Sequence, residues 1–171
     1  HNNLCFSILS GEIYNFKSIR KQLIEEGHCN ACDFKTDGDS EVLLASLAHC
    51  GVEWTLARIR GMFAFVFVES QVTEGERVNK VTLCRDTFGI KPLSYACNPQ
   101  GSLFVCSEVR AMPNNVGLKN IQDVLPASYI EILIKCKTSW SMREHKYDTF
   151  EAITSLSTNN HLSHEEHLSA M

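Results

Sequence analysis

Two short segments hold the residues best suited to chemistry, Ser10-Gly11-Glu12-Ile13-Tyr14-Asn15 and Asp37-Gly38-Asp39-Ser40-Glu41. Gly11 follows an apolar run and marks a place where backbone comes close to something, because a glycine admits an approach that a Cβ would block. Ser10 beside it offers one hydroxyl donor, and an ordinary turn glycine is the alternative for Gly11. Asp39 or Ser40 can cap a helix, and a carboxylate at such a position can also make a charge-assisted hydrogen bond to a ligand. Glu41 suits the first turn of that helix, where a negative charge complements the helix dipole. Cys29-Asn30-Ala31-Cys32 has metal or redox spacing, but a zinc site needs a second pair and none stands at a suitable distance. His161, His164 and His167 repeat every third residue and drift about 60° per step around a helix, too divergent for one metal. No glycine-rich phosphate loop is present. These observations predict no metal site and no cofactor held by this chain.

Alternating short elements must position these residues. The apolar run Leu4 to Leu9 predicts a strand ending in a turn at Gly11. Asn15 is a suitable N-cap, Ile19 and Leu23 share a face, and Gly27 closes a predicted helix over residues 16 to 26. A short strand at Phe34 to Thr36 precedes a second predicted helix, residues 40 to 49, with Val42, Leu43, Leu44 and Leu47 crowded on one side and Gly51 as its end. Met62 to Val68 is a continuous apolar run and pairs as a hairpin with Lys80 to Cys84. Leu93 to Cys97 and Leu103 to Ser107 flank a proline and glycine turn that continues the meander, and Tyr129 to Ile134 is a further strand. Residues 112 to 123 read as a loop, and the polar stretch 148 to 171 reads as a linker or tail.

At 171 residues with 44% apolar content, the chain fits one domain that buries roughly two thirds of its unfolded surface. A formal net charge of −4 and 21% charged residues give no electrostatic ground for nucleic acid or a membrane surface. The apolar runs fall far short of the roughly 20 residues that span a bilayer. Eight cysteines (5, 29, 32, 50, 84, 97, 106, 136) sit mostly in strand-like apolar runs, the pattern of buried free thiols in a reducing compartment. A cytoplasmic, soluble protein is expected. The opening His1 in place of methionine suggests a processed, truncated or partial product.

The two opening segments, together with Gly61-Met62-Phe63-Ala64-Phe65 and Arg85-Asp86-Thr87-Phe88-Gly89-Ile90-Lys91-Pro92-Leu93, resemble the glutamine-hydrolysing domain of asparagine synthetase. That domain is a class II (type 2) glutamine amidotransferase. The resemblance runs from about Leu4 to about Tyr147. Cys106-Ser107-Glu108 resembles the family's strand end, and Leu125-Pro126-Ala127-Ser128-Tyr129 resembles a segment that usually reads Pro-Gly. The resemblance implies an α+β fold: the αββα sandwich of the N-terminal nucleophile hydrolases, incomplete here, with antiparallel sheets and the two helices packed on one face. It implies a partial amidotransferase domain over residues 1–147, with 148–171 outside it. An edge left open by absent strands would favour pairing with a partner, a homodimer included.

By the same resemblance, Gly11 donates its N–H to the tetrahedral oxyanion, and Ser10 stands where the family's second donor is an asparagine. Gly11 and Glu12 lie in the substrate segment, and Asp39 takes the α-ammonium of glutamine. The family's nucleophile is the thiol of an N-terminal cysteine whose own α-amine moves the proton. This chain starts at His1. Cys5 lies within the first strand with its nitrogen in a peptide bond, which disqualifies it as that nucleophile. The arginine that clamps the substrate carboxylate belongs, in the family, to a segment upstream of Leu4 and is not placed in this sequence, where Arg20 and Arg85 match other family positions. Arg85 and Asp86 are expected to form an ion pair framing the loop through Pro92.

The function implied is glutamine hydrolysis that supplies ammonia for ATP-dependent asparagine formation, with ATP and magnesium expected only in an absent synthetase domain or subunit. As an isolated chain it is expected to be inactive. The alternatives are a non-catalytic binding or interaction module that keeps the fold, and another ammonia-transferring enzyme.

Overall fold

The structure, a computed structural model, describes residues 4–73, 76–98, 101–114, 120–136 and 139–147. The expected tail at 148–171 and its histidine triplet lie outside these residues. In chain order the elements are β1 (Leu4–Ile13), α1 (Phe16–Glu25), α2 (Asp39–Arg58), β2 (Gly61–Thr73), β3 (Glu76–Arg85), β4 (Ser94–Cys97), β5 (Leu103–Cys106), β6 (Gln122–Asp123), β7 (Ser128–Cys136) and β8 (Ser139–Lys146). Short 3-10 turns occupy Ala31–Asp33 and Val109–Ala111. The chain is α+β, with antiparallel sheets and two helices, as expected.

One sheet has five strands in the order β1-β2-β3-β7-β8, and a second has three in the order β5-β4-β6. The predicted meander therefore divides: the β4–β5 hairpin leaves the first sheet, and β7 takes the place beside β3. Both faces of the five-stranded sheet are covered at its centre. Phe63, Phe65 and Phe67 of β2, with Cys84 and Tyr129, pack beneath Ile19 and Leu23 of α1 and Val42, Leu43, Leu47 and Leu56 of α2. On the opposite face Val81, Leu83, Ile130 and Ile132 pack against Leu93, Tyr95 and Val124. Burial on both faces explains why Met62 to Val68 is continuously apolar rather than alternating. Beyond the helices the first face turns polar, with Lys80 2.6 Å from Glu131 and 3.7 Å from Glu69.

Four expectations about elements change. β1 does not turn at Gly11 but continues to Ile13, paired in register with β2 from Leu4↔Ser70 to Ile13↔Gly61. Residues 34–36 form no strand, because the N–H groups of Lys35 and Thr36 are taken by the Glu41 side chain. The second helix does not stop before Gly51. That residue kinks it, at φ 83° and ψ 174°, and helical backbone resumes to bury Val52, Thr55 and Leu56. Gln122–Asp123, expected in a loop, forms the short strand β6 beside β4. The seven cysteines with described side chains are free thiols, two of them buried (Cys29, Cys84) and one exposed (Cys32).

Candidate functional site

The carboxyl-terminal end of β1 is held by contacts that the local sequence does not announce. Gly11 adopts φ 117°, and a Cβ built on it would lie 2.0 Å from the Met62 carbonyl oxygen. Across the ladder, a Cβ on Gly61 would lie 2.1 Å from the Glu12 carbonyl oxygen. The two strands approach so closely here that only glycine fits on either side. The close approach expected at Gly11 is therefore made by β2 backbone.

Asp39 meets this strand end. Its Oδ2 accepts a hydrogen bond from the Ile13 N–H at 3.0 Å, and its Oδ1 accepts one from the Ser40 hydroxyl at 3.3 Å. Neither Asp39 nor Ser40 caps α2. The cap position is Gly38, in extended backbone, and Asp39 is the first residue of the helix. A negative charge there still complements the helix dipole. Ile13 lies two residues beyond Gly11, about 7 Å along a strand.

Glu41 lies in the first turn of α2, as expected, and its carboxylate has a further part. Instead of only facing the helix dipole, it accepts hydrogen bonds from Lys35 N at 2.7 Å, Thr36 N at 2.8 Å and Thr36 Oγ1 at 2.8 Å. The backbone N–H groups of Lys35 and then Thr36 hold its carboxyl below the usual carboxylate range. From α1, Arg20 donates to the Thr36 carbonyl at 3.3 Å and Asp37 Oδ1 at 3.4 Å, and lies over the Phe34 ring at 4.6 Å. Asn15 occupies the N-cap position of α1 but makes no side-chain cap. Its amide donates to Arg58 O at 2.9 Å, and its Oδ1 accepts from Arg60 N at 2.7 Å, tying the end of β1 to the chain between α2 and β2.

Ser10 is half-buried and lines a cleft of about 590 Å³ between the sheets, with Val66, Leu93, Val105, Cys106 and Ser107 among its walls. The cleft is apolar along most of its length. It is polar where Ser10 and the Cys106-Ser107 strand end contribute to the lining. Glu12 is exposed beside Gly11. Cys5 lies elsewhere, in a pocket with Cys29, Phe34 and His49. Burial, and secondarily Glu69, pushes its thiol pKa up, away from the thiolate a nucleophile requires.

The loop after β3 is framed without the expected ion pair. The Arg85 guanidinium donates to the carbonyls of Lys91, Val124 and Gly89 at 2.8, 3.0 and 2.7 Å. Asp86, 1% exposed, accepts from the N–H groups of Phe88, Ile90 and Lys91. Each side chain is used up on backbone, so Arg85 is committed to structure, as Arg20 is to the 34–37 segment. Among the described residues no group of three His, Cys, Asp or Glu side chains could hold a metal ion, and no helix is long and apolar enough to cross a membrane.

Gly11 is marked in the sequence by its place after an apolar run. The reach of Asp39 to Ile13, 26 residues away, carries no local signal.

A family profile described as "Glutamine amidotransferase domain" matches residues 2–166. The chain is 33% identical over 123 residues to the asparagine synthetase [glutamine-hydrolyzing] of Gallus gallus, an alignment covering 72% of this chain and 18% of that protein. It is 32% identical over 133 residues to the proteins of the same name from Mesocricetus auratus and Rattus norvegicus, covering 74% of this chain and 20% of each. The chain thus spans about a fifth of the length of these relatives. With the family profile matched along nearly all of its length, the chain belongs to the glutamine amidotransferase domain family.

Proposed function

We propose that this chain is part of the glutamine-hydrolysing domain of an asparagine synthetase, built as an incomplete N-terminal nucleophile hydrolase sandwich. The observation that carries the proposal is the hydrogen bond from Ile13 N to Asp39 Oδ2, which brings together two motif segments far apart in sequence. Glutamine would lie along the end of β1, its α-ammonium on the Asp39 carboxylate beside Glu12, its side-chain amide toward Gly11 and Ser10. A charge-assisted hydrogen bond to the ammonium fixes one end of the substrate. The Gly11 N–H would receive the oxyanion at the other, and Ser10, with a shorter reach than the asparagine it replaces, would supply a weaker second donor. The attacking thiol would come from a cysteine at a chain N-terminus. The ammonia would pass to a synthetase domain or subunit that uses ATP and magnesium, neither of which this chain's residues are proposed to bind.

The test is ammonia release from glutamine by the purified chain and by the same chain joined, upstream of Leu4, to a family-type segment opening with cysteine. Release by the extended protein and none by the chain alone is the expected result. Silence in both, with no glutamine binding to either folded protein, overturns the proposal in favour of a non-catalytic module, which Ser10 at the second-donor position favours.

A further inference from the structure

Glu41 stands in the first turn of α2, yet its carboxylate turns back and closes the segment that leads into that helix. All three hydrogen bonds it accepts come from Lys35 and Thr36. Arg20 holds the same segment from α1 through the Thr36 carbonyl and Asp37. Two residues before Glu41, Asp39 leaves this clamped segment and binds the Ile13 N–H at the end of β1. The path from Glu41 to the strand end is short and continuous: carboxylate, Lys35 and Thr36 backbone, Asp39, Ile13. A carboxylate that accepts from two successive backbone N–H groups and a hydroxyl fixes their orientation far better than a single neutral contact would.

We infer that Glu41 is a positioning residue for Asp39: by bridging Lys35 and Thr36 it sets the loop that holds the Asp39 carboxylate against Ile13, and thereby the place where a ligand ammonium is received. The ligand half of this inference rests on the proposed role of Asp39. The coupling from Glu41 to the Ile13 N–H stands on geometry alone. Glu41 would touch no reacting atom. Its carboxylate is kept ionised by the N–H groups it binds, so the clamp is in place at neutral pH.

The test uses the whole chain and its Glu41→Gln variant, which keeps one carbonyl acceptor but loses the charge and turns a donating amide NH2 toward a backbone N–H. Amide hydrogen exchange is read at Ile13, Lys35 and Thr36, with Leu23 and Phe65 as reporters of the core. Binding is measured for L-glutamine and for 4-carbamoylbutanoate, which is glutamine without its α-amino group. Exchange at Ile13 should quicken roughly tenfold and L-glutamine affinity fall roughly tenfold, while the core amides and 4-carbamoylbutanoate affinity change less than about twofold. A purely structural part would weaken both ligands alike. Thr36→Val, which removes one of the three donors, should give a smaller change of the same sign and decides the matter if Glu41→Gln loses protection throughout. Faster exchange at Lys35 and Thr36 with Ile13 unchanged overturns the inference. If the parent chain binds neither ligand, the glutamine reading of Asp39 fails, and exchange at Ile13 still decides the coupling.

Discussion

Gly11→Ala should be the most damaging single methyl addition at the end of β1. The new Cβ would stand 2.0 Å from the Met62 carbonyl oxygen and 3.0 Å from both Met62 C and Phe63 Cα, all backbone atoms. A comfortable contact needs about 3.5–4.0 Å, so the strands must part by more than an ångström or the ladder must break. Forced overpacking costs about 1–3 kcal/mol. Holding an L-residue at φ 117° adds about 1–3 kcal/mol, for a total of about 2–6 kcal/mol. Two companion variants separate these contributions. Gly61→Ala brings a Cβ to 2.1 Å from the Glu12 carbonyl with no positive φ, leaving the steric part. Gly51→Ala, at φ 83° and ψ 174° with nothing within 4 Å, leaves the conformational part, about 1–3 kcal/mol.

For a chain of this size each kcal/mol lowers the thermal midpoint by about 2–4 °C. Calorimetric unfolding of the four proteins should place Gly11→Ala lowest, with a drop close to the sum of the other two. A Gly11→Ala midpoint within about 2 °C of the parent would refute the reasoning, since it would mean that β1 and β2 are not in contact at Met62. The same data decide how the variant would be interpreted in the proposed cysteine-extended protein, where loss of hydrolysis would speak for the Gly11 N–H as an oxyanion donor only if the strand pairing survives.

Ala127 is the one non-glycine residue with positive φ among the described residues, at 53°, and its backbone is held by bonds to Asp86 O and from Tyr147 N. Relieving a left-handed alanine recovers about 1–2 kcal/mol, and the extra freedom of an unfolded glycine takes back about 0.5–1. Ala127→Gly should therefore leave a net gain of about 0–1.5 kcal/mol and raise the midpoint by up to about 6 °C, and a lower midpoint contradicts the strain. In acid, Glu41 gives a second prediction. Its carboxyl is held below the ordinary value of 4.5 by Lys35 and Thr36, so its contribution is present above that value and lost as pH falls through the lower, folded one. The thermal midpoints of the parent and Glu41→Gln, measured as pH falls, should differ most near neutrality and converge in strong acid. Parallel curves would show that the Glu41 charge does not stabilise the loop.

Periodicity makes the core legible in the sequence. The alternation of Phe63, Phe65 and Phe67 places them on one face, and they are 4%, 1% and 1% exposed under the helices. Ile19 and Leu23 likewise mark the buried side of α1. Ala127, in a segment where the resembling family reads Pro-Gly, does take the backbone a glycine would. Features that depend on contacts distant in sequence leave no such local trace. The length of β1 beyond Gly11 is set by ten successive pairings with β2, which override the turn tendency of a glycine. α2 resumes after Gly51 because Val52, Thr55 and Leu56 have a core to enter. The 34–36 strand does not form because its donors are taken by a side chain that sequence alone assigns to the helix dipole.

The remaining departures are concentrated. Asn15, Asp39 and Glu41 all have types and positions that predict helix capping or dipole complementation, and all three spend their side chains elsewhere. Asn15 binds Arg58 and Arg60, Asp39 binds Ile13, and Glu41 binds Lys35 and Thr36. The cap that Asn15 forgoes costs about 1 kcal/mol of local helix stability, so its bonds to Arg58 and Arg60 must return at least as much or serve another end. At the end of β1, Asp39 holds the Ile13 N–H and Asn15 ties the next turn to Arg58 and Arg60, beside a pair of glycines that admit no side chain. Rigid placement of this kind is what an oxyanion donor and an ammonium acceptor need, since a displacement of one ångström is costly in catalysis. Local rules that give way together around one short segment mark where tertiary contacts outweigh local preference, which is where the proposed site would need a fixed backbone.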